Sequence, residues 1–267
     1  DPYSIYAEKI LKLNPLDNLE KPIGYAEKGT IIHEILYRFI DKNRQSSAIS
    51  ETQFIETARE VFDYYDFEET EWRNVLPRLH PIAEWFVGNE TYWRHEAVVN
   101  KLEVKGEMKI ENGLSQPFTL TGQADRIDKL HNGAVAIIDY KSAGNFSKKN
   151  LKNAAYPQLP LEGLMVQKGA FSKEGLPAQN VGYLGYWTIT GNLSGGEVTF
   201  LDKETDIAQA IDAAQNGLIN LIILFDQEET PYFAVPNLEK APRFNDYAHL
   251  ERIKEWAVTD DNSEEAA

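Results

Sequence analysis

Two short stretches set acidic side chains into otherwise apolar, strand-forming surroundings: Gly122-Gln123-Ala124-Asp125-Arg126-Ile127-Asp128 and Ile137-Ile138-Asp139-Tyr140-Lys141. An unpaired carboxylate buried there is costly, so something must compensate it. Asp139 and Lys141 are two apart, which on a strand puts them on one face with Cα atoms about 6–7 Å apart. Asp125 joins them only in one hairpin register. A three-residue loop His131-Asn132-Gly133 makes Leu130 oppose Ala134 and Asp125 oppose Asp139, with Gly133 in the left-handed position such loops need. A two-residue loop would turn Asp125 to the other face; the first register is the one adopted. Two facing carboxylates repel unless a cation lies between them, and hard oxygen donors favour Mg²⁺ or Mn²⁺. The Lys141 ammonium beside such an ion could orient or deprotonate a water, while the ion lowers that water's pKa and neutralises an attacked phosphate. That combination suits phosphodiester hydrolysis.

The elements that must hold these residues can be read from periodicity. Ile31, Ile32, Ile35, Leu36, Phe39 and Ile40 recur at helical spacing, predicting a helix over 31–43 that starts near Gly29-Thr30 and ends in the polar run 41–47. Further helices are expected over 52–66 and 73–87, with Trp85-Phe86 entering a core. Alternating, β-branched residues over 97–111 and 118–127 predict strands with a turn at Asn112-Gly113 between them, and the hairpin signal Asn132-Gly133 separates 118–130 from a further strand at 134–141, hence a meander of about three strands. A helix over 151–168 is broken or restarted by Pro157 and Pro160; strands follow at 181–190 and 197–201, then a helix at 204–225. Its run Leu218 to Phe225 is expected to be buried helix, with a face docking onto a partner subunit as the alternative. This order predicts an α/β fold, a central mixed β-sheet flanked by helices. No 20–50-residue period recurs. The acidic, small-residue stretch 259–267 is expected to be a disordered tail.

Composition narrows the chemistry. The chain has 267 residues, with 27 basic and 42 acidic side chains and a net charge of −15. Zero cysteines exclude disulfides, thiolate zinc sites, iron–sulfur clusters and cysteine nucleophiles, so a metal here must be held by oxygen or imidazole. The longest apolar run, Leu218 to Phe225, is far short of the roughly 18 residues of a membrane span. The N-terminus, Asp1-Pro2-Tyr3-Ser4, has neither the basic nor the apolar region of a signal peptide, so the expectation is a cytoplasmic protein without a membrane partner. Its lack of an initiating methionine suggests a fragment.

The ordered set Gly29-Thr30-Ile31-Ile32-His33-Glu34-Ile35-Leu36, Gly122-x-x-Asp125-Arg126-Ile127-Asp128, Asp139-Tyr140-Lys141 and Gln158-Leu159-Pro160-Leu161 resembles the RecB-like branch of the PD-(D/E)XK nucleases. Both chain ends, Pro2-Tyr3-Ser4-Ile5-Tyr6-Ala7 and Arg243-Phe244-Asn245-Asp246-Tyr247-Ala248-His249-Leu250 with Glu255-Trp256, resemble the C-terminal nuclease domains of AddB-type subunits of bacterial AddAB helicase–nucleases. The resemblance implies a restriction-endonuclease-like fold and a single nuclease domain over 1–258. It implies that His33, Asp125, Asp139 and the Tyr140 carbonyl ligate Mg²⁺, for which Mn²⁺ could substitute. Lys141 is then the catalytic lysine, acting with Asp125 and Asp139, and Gln158 positions the scissile region. The implied activity is a Mg²⁺-dependent deoxyribonuclease cutting single-stranded DNA fed by a helicase during double-strand-break end processing, with AddA and the rest of AddB as partners. Many relatives place a cysteine before the Pro-Tyr pair and three more near the C-terminus to hold an iron–sulfur cluster. Here Asp1 takes the first place, so no cluster is expected and packing must join the ends. Where the family commonly has a tyrosine four residues after the glutamine, this chain has Glu162.

Read without the resemblance, His33 would be a hydrogen-bonded structural histidine at the edge of an apolar stripe, Asp125 could pair with Arg126 or cap a turn, Lys141 could be a solvated strand end, and Gln158 could cap the turn at Pro157. Asp128 is read as structural. Lys148, Lys149 and Lys152 follow the catalytic strand directly, which on so acidic a chain favours a phosphate track for DNA. Tyr140, Phe146 and Tyr156 could stack on splayed bases. Two rivals remain: a catalytically silent nuclease-fold module that docks a partner subunit or DNA end, and a metal phosphoesterase acting on small substrates.

Overall fold

The structure, a computed structural model, describes residues 1–14, 25–46, 48–111, 114–235 and 245–252, with the backbone alone at 25–28. The expected turn at Asn112-Gly113, the Arg243-Phe244 and Glu255-Trp256 pieces and the 259–267 tail lie outside the described residues. The chain divides into two compact units, Asp1–Pro22 with Leu224–Ala267, and Ile23–Ile223.

In the first unit the N-terminal residues meet Val235, Asn245 and Tyr247. Asp1 caps helix α1 (Pro2–Ile5) by accepting from the Tyr3 amide at 3.1 Å. The same carboxylate accepts from the Val235 amide at 3.1 Å and from Asn245 Nδ2 at 3.2 Å. The Tyr247 hydroxyl donates to the Leu13 carbonyl at 2.7 Å.

The second unit is built on a five-stranded sheet in the order β1-β2-β3-β4-β5, comprising β1 (Ala97–Ile110), β2 (Phe118–Leu130), β3 (Val135–Lys141), β4 (Val181–Ile189) and β5 (Gly196–Leu201). β3 pairs parallel with β4 and all other neighbours are antiparallel, so the sheet is mixed. The β2–β3 hairpin has the three-residue loop: Leu130 N–H donates to the Ala134 carbonyl at 2.9 Å, and Gly133 has φ +86°. Arg126 opposes Ile138 and Ile127 opposes Ile137. The parallel β3–β4 step needs a long crossover, and α5 (Lys148–Lys152) and α6 (Gln158–Gln167) supply it.

Helices cover both faces, as a sheet with β3 buried along almost its whole length requires. On one face α2 (Tyr25–Lys42), α3 (Glu51–Tyr64) and α4 (Glu69–Trp93) enclose a core in which Ile35, Leu36, Phe39, Phe54 and Phe86 pack on Ile138, Tyr140 and Trp187. Ser50 and Gln53 form a capping box that starts α3. On the other face α6 and α7 (Glu204–Phe225) bury Leu159, Leu164, Met165, Ile207 and Ile211 against Ile127, Ile137 and Leu184.

Helix boundaries differ from the sequence reading for identifiable reasons. α2 starts at Tyr25, running through Gly29 because a lone glycine weakens a helix without ending it. α4 keeps Pro77 and Pro81 inside its 25 residues and so extends well beyond 73–87. The 151–168 segment is two helices, with Pro157 as the N-cap of α6 and Pro160 in its first turn, where a missing N–H costs nothing.

The expected burial of Leu218 to Phe225 is corrected. Ile207, Ala210, Ile211 and Ala214 are the buried stripe of α7, whereas Leu221 and Leu224 are 56% and 47% exposed. The short run 218–225 is part of a longer apolar helix. The whole of α7, 22 residues with a mean hydropathy of 1.3 in its most apolar window, is long and apolar enough to cross a membrane by length and composition.

Candidate active site

Beneath the expected site lies a fully buried polar cluster that fixes strand β2. Arg126, with no solvent exposure, places Nη1 2.7 Å from Glu90 Oε2 and Nη2 2.7 Å from Asp128 Oδ2. Trp93 Nε1 donates to Asp128 Oδ2 at 2.7 Å, and Arg126 Nη1 donates to the Tyr140 hydroxyl at 3.2 Å. Asp128 is thus structural, and Arg126 is engaged with Glu90 and Asp128 rather than with Asp125. The Tyr140 ring is 3% exposed, packed against Phe86 and Trp187. It is not available for base stacking, which corrects the expectation for that residue.

Around the ends of β2 and β3 the acidic groups converge. Asp125 Oδ2 accepts from the Tyr140 backbone N–H at 2.8 Å and lies 3.4 Å from His33 Nδ1. Burial pushes the Asp125 carboxyl up to about 6, opposed by the Tyr140 N–H and reinforced by the charge of Glu103. Burial likewise lifts Asp139 to about 6, with Asp125 as the next contributor. Burial lowers His33 from its ordinary value, against the raising influence of Asp139 and Glu103, and its ring also bonds the backbone of Tyr140. A neutral imidazole is the form that can ligate.

Asp139, 1% exposed at its side chain, accepts from Gln158 Nε2 at 2.6 Å through Oδ1, while its buried Oδ2 lies 2.7 Å from Lys141 Nζ as an ion pair without hydrogen-bond geometry. Lys141 Nζ also donates to Gln158 Oε1 at 2.9 Å. The pair at i and i+2 on β3 therefore meets at the first residue of α6. Glu162, one turn further along α6, accepts from Gln158 Nε2 at 3.1 Å through Oε1, while its buried Oε2 has no hydrogen-bond partner among the described residues. Burial, then the charge of Asp139, pushes Glu162 up to about 8.

Sequence reading missed Glu103. Leu102 opposes Arg126 and Val104 opposes Ala124, which puts Glu103 across the ladder from Asp125. One donor atom from each of His33, Glu103 and Asp125 can be chosen so that all lie within 4.8 Å of one another. Glu103 has φ +48°, left-handed backbone within a strand. For a residue with a side chain that conformation is strained by about 1–2 kcal/mol, and such strain concentrates at functional sites. An imidazole and two carboxylates, with Asp139 and the Tyr140 carbonyl adjacent, fit a divalent cation that takes oxygen and nitrogen donors.

The three expected DNA-binding lysines share α5, which Ser147 caps by accepting from the Asn150 amide at 3.2 Å. Their surroundings differ. Lys152 Nζ is 2.6 Å from Asp206 Oδ1, and Lys148 Nζ lies 4.2 Å from the centre of the Phe200 ring. Lys149 is exposed. Phe146 stacks on Tyr186 with ring centres 4.3 Å apart and meets Tyr156 edge-on at 4.9 Å, so this aromatic group is already self-packed.

The profile of the PD-(D/E)XK nuclease superfamily matches residues 2–237. An uncharacterized protein of Rickettsia bellii (strain RML369-C) is 23% identical over 263 residues, covering 94% of this chain and 30% of its own. An ATP-dependent helicase/deoxyribonuclease subunit of Streptococcus agalactiae serotype V is 27% identical over 168 residues, covering 59% of this chain and 14% of its own. The chain thus spans about a third or less of the length of the curated relatives it matches. Among solved structures, "Crystal structure of SSO0001" covers 80% of this chain and 99% of its own at 16% identity and a TM-score of 0.30.

Proposed function

Because the chain belongs to the PD-(D/E)XK nuclease superfamily, we propose that its Ile23–Ile223 unit is a Mg²⁺-dependent deoxyribonuclease that cuts single-stranded DNA delivered by a helicase during double-strand-break end processing. The observation that carries this reading is the meeting of His33, Glu103 and Asp125 donors within 4.8 Å, beside the Asp139–Lys141 ion pair. The helicase context rests on the resemblance to AddB-type subunits and on the helicase/deoxyribonuclease name of the streptococcal relative. AddA and the remainder of an AddB-type protein would be the partners.

His33, Asp125, Asp139 and the Tyr140 carbonyl would hold Mg²⁺ or Mn²⁺, with Glu103 as a further donor. Bound there, the cation supplies Lewis acidity, lowering a water's pKa and offsetting phosphate charge. The protein's own groups do the rest. The Asp125 carboxylate is aimed by the Tyr140 N–H. Lys141 is held between Asp139 and Gln158, where its ammonium can orient a water or offset charge developing on the phosphate. Lys148, Lys149 and Lys152 would track the DNA backbone.

The test incubates the purified chain and Asp139→Ala with single-stranded DNA and Mg²⁺. Cleavage by the wild type that falls by at least about a hundredfold in the variant is the expected result, since general acid–base and electrostatic groups each contribute that much. Equal rates, or no cleavage by the wild type with either Mg²⁺ or Mn²⁺, would reject it. A silent docking module would in addition take up no Mn²⁺ that Asp125→Ala abolishes.

A further inference from the structure

Glu162 stands where no role was evident from the sequence, and its surroundings supply one. It is 4% exposed, yet it belongs to the same face of α6 as the exposed Gln158, one turn away. An exposed glutamine is ordinarily free to rotate. Here its amide makes three contacts of matched polarity. Oε1 accepts from the Lys141 ammonium at 2.9 Å, and Nε2 donates to Asp139 Oδ1 at 2.6 Å and to Glu162 Oε1 at 3.1 Å. The two Nε2 hydrogens thus have one carboxyl acceptor each. Turning the amide over would point its NH₂ at the ammonium and its carbonyl oxygen at two carboxyl groups.

We propose that Glu162 is a positioning residue, which by accepting the second Nε2 hydrogen locks Gln158 with its carbonyl oxygen on Lys141. The assignment rests on the nuclease reading in so far as Lys141 is the group being aimed. A scaffold role fits poorly. Among the described residues Glu162 Oε2 is buried without a hydrogen-bond partner, so the carboxyl costs the fold more than an apolar side chain of similar length would. The position is held at the expense of stability, the pattern expected of a residue retained for a site.

The experiment combines Glu162→Met, Glu162→Gln, Gln158→Ala and the Glu162→Met/Gln158→Ala double variant of the full chain. With Mn²⁺ and single-stranded DNA, Glu162→Met should lower kcat by about three- to tenfold, the worth of one hydrogen bond, with KM nearly unchanged. Glu162→Gln, whose carbonyl can still accept, should restore kcat to within about twofold of wild type, as one retained bond implies. In the Gln158→Ala background Glu162→Met should add no further loss, because its route is gone. Tm of Glu162→Met should equal or exceed wild type.

A readout independent of cleavage is the Gln158 side-chain NH₂ signal in ¹H–¹⁵N spectra, assigned by its loss in Gln158→Ala. Glu162→Met should shift it and speed its hydrogen exchange, and Glu162→Gln should not. An unmoved Gln158 signal in Glu162→Met overturns the assignment even if the chain cuts no DNA. So does full additivity in the double variant, or a Glu162→Gln loss as large as that of Glu162→Met. Wild-type inactivity together with the expected signal changes would instead reject the nuclease reading and leave the contact in place.

Discussion

Removing the Asp139 charge should stabilise the metal-free chain. Asp139 is 1% exposed at its side chain, and its pKa of about 6 already includes the help of Lys141. Raised from 3.8, the group binds a proton more tightly folded than unfolded, a difference of roughly two pKa units or about 3 kcal/mol at most. The sign follows directly. A carboxyl with a raised folded pKa contributes stability while protonated, below its unfolded value, and that stability is lost as pH rises through the folded value near 6. Asp139→Asn keeps the neutral form at every pH. Because solvent reorganises around the charged site, about half of the upper bound is a realistic yield, roughly 1–2 kcal/mol. For a chain of this size that is about 3–6 °C in Tm. The assay is thermal unfolding in a chelator at pH 4.5, 6 and 8. The variant's advantage should be about a third of its full size at pH 4.5 and full at pH 8. Saturating Mn²⁺ at pH 8 should raise wild-type Tm and shrink or reverse that advantage, since ligand binding to the folded state adds stability. A variant less stable than wild type at pH 8 without metal, or a gap that narrows as pH rises, would refute the reasoning.

Three further outcomes follow from the same geometry. Arg126→Ala should destabilise the fold by about 3–5 kcal/mol in denaturant titration, because Asp128 would remain buried without its cation and Glu90 would keep only Arg94. Glu103→Ala should weaken Mn²⁺ binding by calorimetry at least about tenfold, as expected for loss of a charged donor, while leaving Tm in chelator equal or higher as its repulsion with Asp125 is relieved. Charge reversal at Lys149, which is exposed, should weaken single-stranded DNA binding and flatten its salt dependence by about one unit of slope; Lys152→Glu should do so less per charge, since Lys152 is already engaged by Asp206.

Much of the scaffold was legible because its signals are local. The alternation of β2, the continuous apolar run of β3, the three-residue loop with Gly133, and the apolar stripe of α2 are each local, and each carries its own geometry. Proline positions were readable as punctuation but not as outcome. Pro157 and Pro160 begin a helix, while Pro77 and Pro81 lie inside one, because packing of Leu79, Ile82, Ala83 and Phe86 outweighs the local penalty. The exposure of Leu221 and Leu224 was beyond reach for another reason. Apolar composition says a helix can be buried; it does not say how much of its length finds a partner.

The candidate site divides along the same line. His33, Asp125, Asp139, Lys141 and Gln158 stand out because each is a polar residue in an apolar pattern or in a recognisable string. Glu103 does not. In Asn100-Lys101-Leu102-Glu103-Val104-Lys105 it reads as one more outward charge on an amphipathic strand, and nothing within β1 says otherwise. Its proximity to Asp125 comes from the antiparallel ladder with β2, whose partner residues are some twenty positions away, and its inward turn comes from a left-handed backbone that few glutamates adopt. Both are consequences of pairing and are absent from the strand by itself. Glu162 is the converse case, visible in the sequence as a substitution for a common tyrosine but uninterpretable until the polarity of the Gln158 amide is known. In both cases the missing information is the direction of a polar atom, set by tertiary hydrogen bonds. Residue type and spacing can therefore nominate the members of such a site, whereas the number of its donors and the orientation of its amide must come from the fold.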